Sequence, residues 1–224
     1  MPGRATLITI PAQWVLPDTR GAAGIVVNLS EFRLYYFFMA GRSRFVATFP
    51  IGIGDEGRRT PLGSYRVTDK LEHPRWRPPP SILAERPSLP RVVPPGRDNP
   101  LGTHALRLSS GPVLIHGTNR PFGVGRKVSH GCIHLYPEDI LVLFGMAPRG
   151  AKVTIIRQPV KIGKRHGRIY VEVHDDDDFL GDYRQEAHRL LKSKRLAGQV
   201  SMEKVDTALE VRDGIPVDVT GRTR

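Results

Sequence analysis

The sequence is poorest in cysteine: a single thiol, Cys132, stands among 224 residues. A lone cysteine excludes an internal disulfide and leaves two readings, a small buried apolar residue or a reactive thiol. Long apolar runs are missing too. No stretch approaches the ~18 residues that cross a bilayer as a helix, so no transmembrane segment is expected. The opening MPGRATLITIPAQWVL lacks a signal peptide's uninterrupted apolar centre and small-residue cleavage site. Acidic residues are outnumbered, 22 against 34 Lys and Arg, for a net charge of +12 at pH 7. Such a balance favours anionic partners: nucleic acid, acidic lipid or an acidic polymer. The densest basic run, residues 161–168 (KIGKRHGR), lacks the interleaved aromatics of a base-stacking surface, and no recognition motif accompanies it. Nucleic acid is therefore not an expected partner.

Turn formers are plentiful, with 23 glycines and 20 prolines. They stay below the ~25–30% that marks a disordered chain, so a folded, loop-rich protein is expected. The length suits one domain, or a main domain with a small companion. It allows roughly three-quarters of the unfolded surface to be buried.

Short runs rich in Val, Ile, Tyr and Phe, bounded by Gly, Asn or Pro, read as strands at 24–28, 33–38, 44–50, 64–69, 104–108, 113–115 and 152–157. The run 33–38 (RLYYFF) is apolar nearly throughout, which predicts a central strand buried on both faces. Many strands and few helices predict a mostly β domain with a sandwich or barrel-like core. Between residues 70 and 103 proline dominates, and proline denies ladder hydrogen bonds. That stretch reads either as a surface excursion or as a substrate lid with Trp76 and several arginines facing a ligand. A short helix is predicted at 137–144: Pro137 suits its first position, Glu138 and Asp139 its first turn, and Gly145 its stop.

Past residue 157 a small α/β appendage is predicted. It has a strand at 168–174, a solvated acidic turn at 175–178, and a helix capped by Asp182 with Tyr183, Ala187, Leu190 and Leu191 on one face. A second helix carries Met202, Val205 and Leu209, and a last strand spans 215–219. No internal repeat is present.

The most informative stretch is 114–136, LIHGTNRPFGVGRKVSHGCIHLY. An apolar strand ends in His116 and Gly117, a glycine-rich loop follows, and then comes Ser129-His130-Gly131-Cys132. Cysteine attacks as thiolate, and a neighbouring imidazole can take its proton. Two histidines are candidates, His130 two residues away and His116 sixteen upstream. Gly131 allows close backbone approach, and the N–H groups of Gly131 and Cys132 could hold an oxyanion. A metal site competes with this reading. His130, Cys132 and His134 alternate along one face, and His116 would complete a set that zinc accepts, though the spacing fits no common zinc-finger pattern.

Taken whole, the stretch resembles the signature of the L,D-transpeptidases of the YkuD type: a His-Gly, a glycine-containing loop, then Ser-His-Gly-Cys. Residues 24–36 (GIVVNLSEFRLYY), 50–54 with 60–63 (PIGIG, TPLG) and 99–108 (NPLGTHALRL) are similar to further landmarks of that family. The resemblance covers about residues 24–157. It implies a β-sandwich-like catalytic domain that needs no cofactor and no metal. Cys132 would attack the peptide-stem carbonyl before a terminal D-alanine, forming a thioester that passes to an amine of a second stem or of a wall-anchored lipoprotein. Water as acceptor would make a carboxypeptidase. His116 would be the base, Ser129, His130 and Gly131 the rest of the motif, and Gly117, Thr118 and His134 substrate contacts. Carbapenems are implied inhibitors, and a periplasmic or cell-envelope location and a monomer are expected. His134 stands where the family usually has Arg or Asn, which leaves open a wall-binding module with a degenerate site. Residues 1–23 resemble the end of a LysM wall-binding module with its linker, which implies a start upstream of residue 1. Residues 158–224 resemble a C-terminal extension.

Overall fold

The computed structural model describes residues 15–18, 24–109 and 111–221. Most of the LysM-like stretch therefore lies outside the described residues. The chain forms two compact units, Thr19–Arg157 and a second made of Gln158–Arg224 with Met1–Asp18.

The larger unit is a curled eight-stranded mixed sheet. β1 (Gly24–Asn28) pairs antiparallel with β2 (Arg33–Ala40), which pairs with the edge strand β3 (Ser43–Pro50). A two-residue β4 (Ile53–Gly54) follows, then the long β5 (Gly63–Glu72). α1 (Pro80–Glu85) lies in the proline-rich excursion, where helix was not expected. β6 (His104–Leu108), β7 (Leu114–His116), β8 (Lys127–Ser129) and β9 (Ile133–His134) precede α2 (Pro137–Met146) and β10 (Lys152–Ile156). The sheet order is β3-β2-β1-β10-β5-β6-β7-β9, and β4 and β8 pair separately in parallel. The expected sandwich is thus realised as one sheet curled over an apolar core, with Ile140 and Leu143 of α2 completing that core.

β2 is buried on both faces over Leu34, Tyr35, Tyr36 and Phe37, as the unbroken apolar run predicts. It lies one strand in from the edge. α2 runs past Gly145, its predicted stop, to Met146. The actual stop is Pro148, which disfavours helical geometry in the residue before it.

The smaller unit packs helices on a three-stranded sheet. β11 (Val160–Arg165), β12 (Arg168–Val173) and β13 (Val217–Asp218) lie in that order. α3 (Tyr183–Ser193) and α4 (Met202–Val211) supply Ala187, Leu190, Leu191, Val205 and Leu209 to its core. Asp182 caps α3 as predicted, its Oδ1 accepting from the Gln185 N–H at 2.7 Å. One expectation fails here. The acidic turn is not fully solvated, because Asp176 and Asp178 are buried. The basic run also contributes to the interior. Lys161 is fully buried opposite Glu172 across β11 and β12, with its Nζ 2.6 Å from Oε1.

Candidate active site

The site forms where β7 meets β9. These strands pair in parallel, with Ile115 opposite Ile133 and His116 opposite His134. Side chains alternate along a strand, so His116, His134 and Cys132 share one face while Ile115 and Ile133 enter the core. The strand register therefore carries a histidine sixteen residues upstream to the thiol's side of the sheet. Cys132 is partly exposed, and Cys132, His116 and His134 all line one groove of about 1470 Å³.

Ser129 builds the Ser-His-Gly-Cys loop. Its Oγ donates to the Cys132 carbonyl at 2.6 Å and accepts from the Gly131 N–H at 3.2 Å. Gly131 sits at φ +96°, where any side chain is strained. Of the two N–H groups expected to hold an oxyanion, that of Gly131 donates to Ser129 Oγ, whereas that of Cys132 has no acceptor among the described residues.

His116 is buried, and its Nδ1 lies 2.5 Å from the Gly117 carbonyl oxygen. A carbonyl only accepts, so Nδ1 carries the proton and Nε2 keeps its lone pair. Burial lowers the His116 pKa to about 3, reinforced by the neighbouring His134 and opposed by the Gly117 hydrogen bond. Burial pushes the Cys132 thiol up, against a backbone hydrogen bond from Leu114. At neutral pH the Cys132 thiol and the His116 imidazole are both uncharged, and the thiol's own hydrogen bond runs to the Pro112 carbonyl, with Sγ 3.8 Å from that oxygen.

The second candidate base is committed elsewhere. The Arg58 guanidinium, which can only donate, lies 2.5 Å from His130 Nε2, so that lone pair is occupied. Burial and then the Arg58 charge lower the His130 pKa. Arg58 also pairs with Glu85 at the end of α1, whose Oε2 lies 3.6 Å from His130 Nε2.

The His134 ring lies beside that of His116, tilted by 46° with centroids 4.8 Å apart, and burial lowers its pKa to about 4. Its Nδ1 is buried without a partner among the described residues. Its backbone is fixed by paired hydrogen bonds with Gly52 at 2.9 Å. Gly52 must be glycine, because a Cβ there would meet the Gly123 carbonyl oxygen at 2.4 Å. Thr118 lines the groove and accepts from the Arg120 N–H at 2.9 Å. Gly117 is not a groove residue: it packs toward Ile140 and Leu101, and its part is to hold His116.

The proline-rich excursion forms one wall. Trp76, Arg86 and Arg97 line the groove. Asn99 is the clasp. Its fully buried side chain donates to the Pro74 carbonyl at 2.7 Å and accepts from the Leu101 N–H at 2.9 Å. Sequence reasoning missed Arg58 and Glu85, whose 27-residue separation carries no periodic signal.

A thiol, an imidazole with a free lone pair and a cationic groove define a site suited to acyl chemistry on anionic substrates. The comparisons make the class specific. The family model of the YkuD L,D-transpeptidase catalytic domain matches residues 22–155, and the chain belongs to that family. It is 40% identical over 235 residues to "Probable L,D-transpeptidase YcfS" of Escherichia coli strain K12, covering 98% of this chain and 72% of that protein. It is 40% identical over 238 residues to "Probable L,D-transpeptidase ErfK/SrfK" of the same strain, covering 100% and 75%. "Probable L,D-transpeptidase YbiS" matches at 38% over 230 residues, covering 97% and 74%.

Proposed function

We propose that this protein is a cysteine-dependent peptidoglycan L,D-transpeptidase acting through Cys132 and His116. The observation that carries the reading is the shared sheet face of these residues, with His116 Nδ1 tied to Gly117 and Nε2 left as the base. As Cys132 Sγ bonds to the stem carbonyl carbon, its proton passes to His116 Nε2. The oxyanion sits against the Cys132 N–H. Collapse breaks the C–N bond, the imidazolium returns its proton to the departing D-alanine amine, and a thioester remains. An acceptor amine then attacks, gives its proton to His116, and the sulfur leaves and is reprotonated. The acceptor is a second stem or a lipoprotein lysine, and the substrate places the enzyme in the periplasm or cell envelope.

The test is mass spectrometry of purified tetrapeptide incubated with the protein. Loss of D-alanine with formation of a cross-linked dimer is expected, and Cys132→Ser should abolish it. Free tripeptide alone would make the protein a carboxypeptidase. Equal consumption by Cys132→Ser would refute the role given to the thiol.

A further inference from the structure

The geometry points to Arg58 as the receptor for the substrate's terminal carboxylate, with Glu85 occupying that receptor in the free protein. The inference rests on the transfer reading above and names a specificity element within the same groove. In a peptide ending in D-alanine, the free carboxylate carbon lies three bonds from the scissile carbonyl carbon. A cation that reads this carboxylate must therefore flank the cysteine loop closely.

Arg58 meets that requirement. Its backbone carbonyl would lie 3.5 Å from a Cβ placed on Gly131, the residue next to Cys132. Its guanidinium reaches His130, two residues before Cys132, a span of about 7 Å in extended chain. Several arginines line the groove, and the guanidinium of Arg58 holds a carboxylate supplied by the proline-rich wall. That carboxylate is Glu85, on α1 of the proline-rich excursion. The other acid nearby, Asp55, lies 3.9 Å from Arg58.

The pair is suited to exchange. Both side chains are partly exposed, at 32% for Arg58 and 44% for Glu85. Ion pairs so exposed are weak, so an incoming carboxylate can displace Glu85 at little cost. Arg58 offers a planar fork that accepts a carboxylate through two parallel N–H groups. Its loop is braced independently of Glu85: the Asp55 N–H donates to the Ser129 carbonyl, and the Gly54 N–H to Thr60 Oγ1, both at 2.9 Å. Displacement of Glu85 would free α1 from the cysteine loop while leaving that loop in place.

The test measures equilibrium binding of tetrapeptide, as free acid and as C-terminal amide, by calorimetry in the Cys132→Ala protein. The free acid should bind about ten- to hundredfold more tightly than the amide, the range of a charged hydrogen-bond pair. Arg58→Gln should erase that preference while leaving amide affinity within about twofold, which also reports correct folding. Arg58→Lys should keep part of it. Glu85→Gln should raise acid affinity about two- to fivefold and leave amide affinity unchanged. A preference that survives Arg58→Gln, or acid binding that Glu85→Gln weakens or leaves unaltered, would overturn the assignment. Equal binding of acid and amide alongside D-alanine release by the unaltered protein would sink the carboxylate receptor alone. Absence of release with the acid preference intact would sink the transfer reading alone.

Discussion

His116 and Cys132 are each moved away from charge by burial. The imidazole falls to about 3 and the thiol rises above its ordinary 9.0. A lowered imidazole is neutral at pH 7, and a raised thiol is protonated there, so the resting pair holds no thiolate. Alkylation of Cys132 by iodoacetamide should therefore climb about tenfold per pH unit through neutrality and keep climbing past pH 9. A rate plateau below pH 7 would instead reveal a thiolate–imidazolium pair. Cys132 and His116 were legible in the sequence because the Ser-His-Gly-Cys signature singles them out. Arg58 and Glu85 were not: each is one charge among 34 basic and 22 acidic residues, and their meeting depends on where the proline-rich segment folds back.

At the scale of elements, the periodic pieces were readable and the shortest were not. β1, β2, β6, α3 and α4 carry clear apolar patterns. β4, β8 and β9, the strands that shape the site, have two or three residues each and no measurable period. The excursion was legible as a proline-rich segment, but its order was not. That order depends on buried Asn99, which bonds to backbone groups at Pro74 and Leu101. Asn99→Leu would leave those buried groups unpaired, at about 1–3 kcal/mol each. It should speed limited trypsin cleavage between Arg75 and Arg97 several-fold at a temperature where the sheet remains folded, as followed by circular dichroism. Unchanged cleavage would mean that the Trp76–Val93 bridge alone holds the segment.

Across the whole molecule, the catalytic family match ends at residue 155, while the relatives named above align over 97–100% of the chain. The smaller unit thus belongs to what this protein shares with them. Within that unit, Lys161 of the densest basic run is sealed against Glu172. Around the groove, Arg58, Arg59, Arg86, Arg97, Arg120 and Arg126 outnumber the acids Glu85 and Asp98. Among the described residues no helix is long and apolar enough to cross a membrane.

If the one sulfhydryl is the acyl acceptor and His116 its base, a carbapenem should acylate the protein at that sulfur, which intact-protein mass spectrometry reads out. One adduct mapped to Cys132 is expected, absent in Cys132→Ala and formed about a hundred- to ten-thousandfold more slowly in His116→Gln. An unmodified mass for the folded protein, or an adduct on any other residue, would contradict the account.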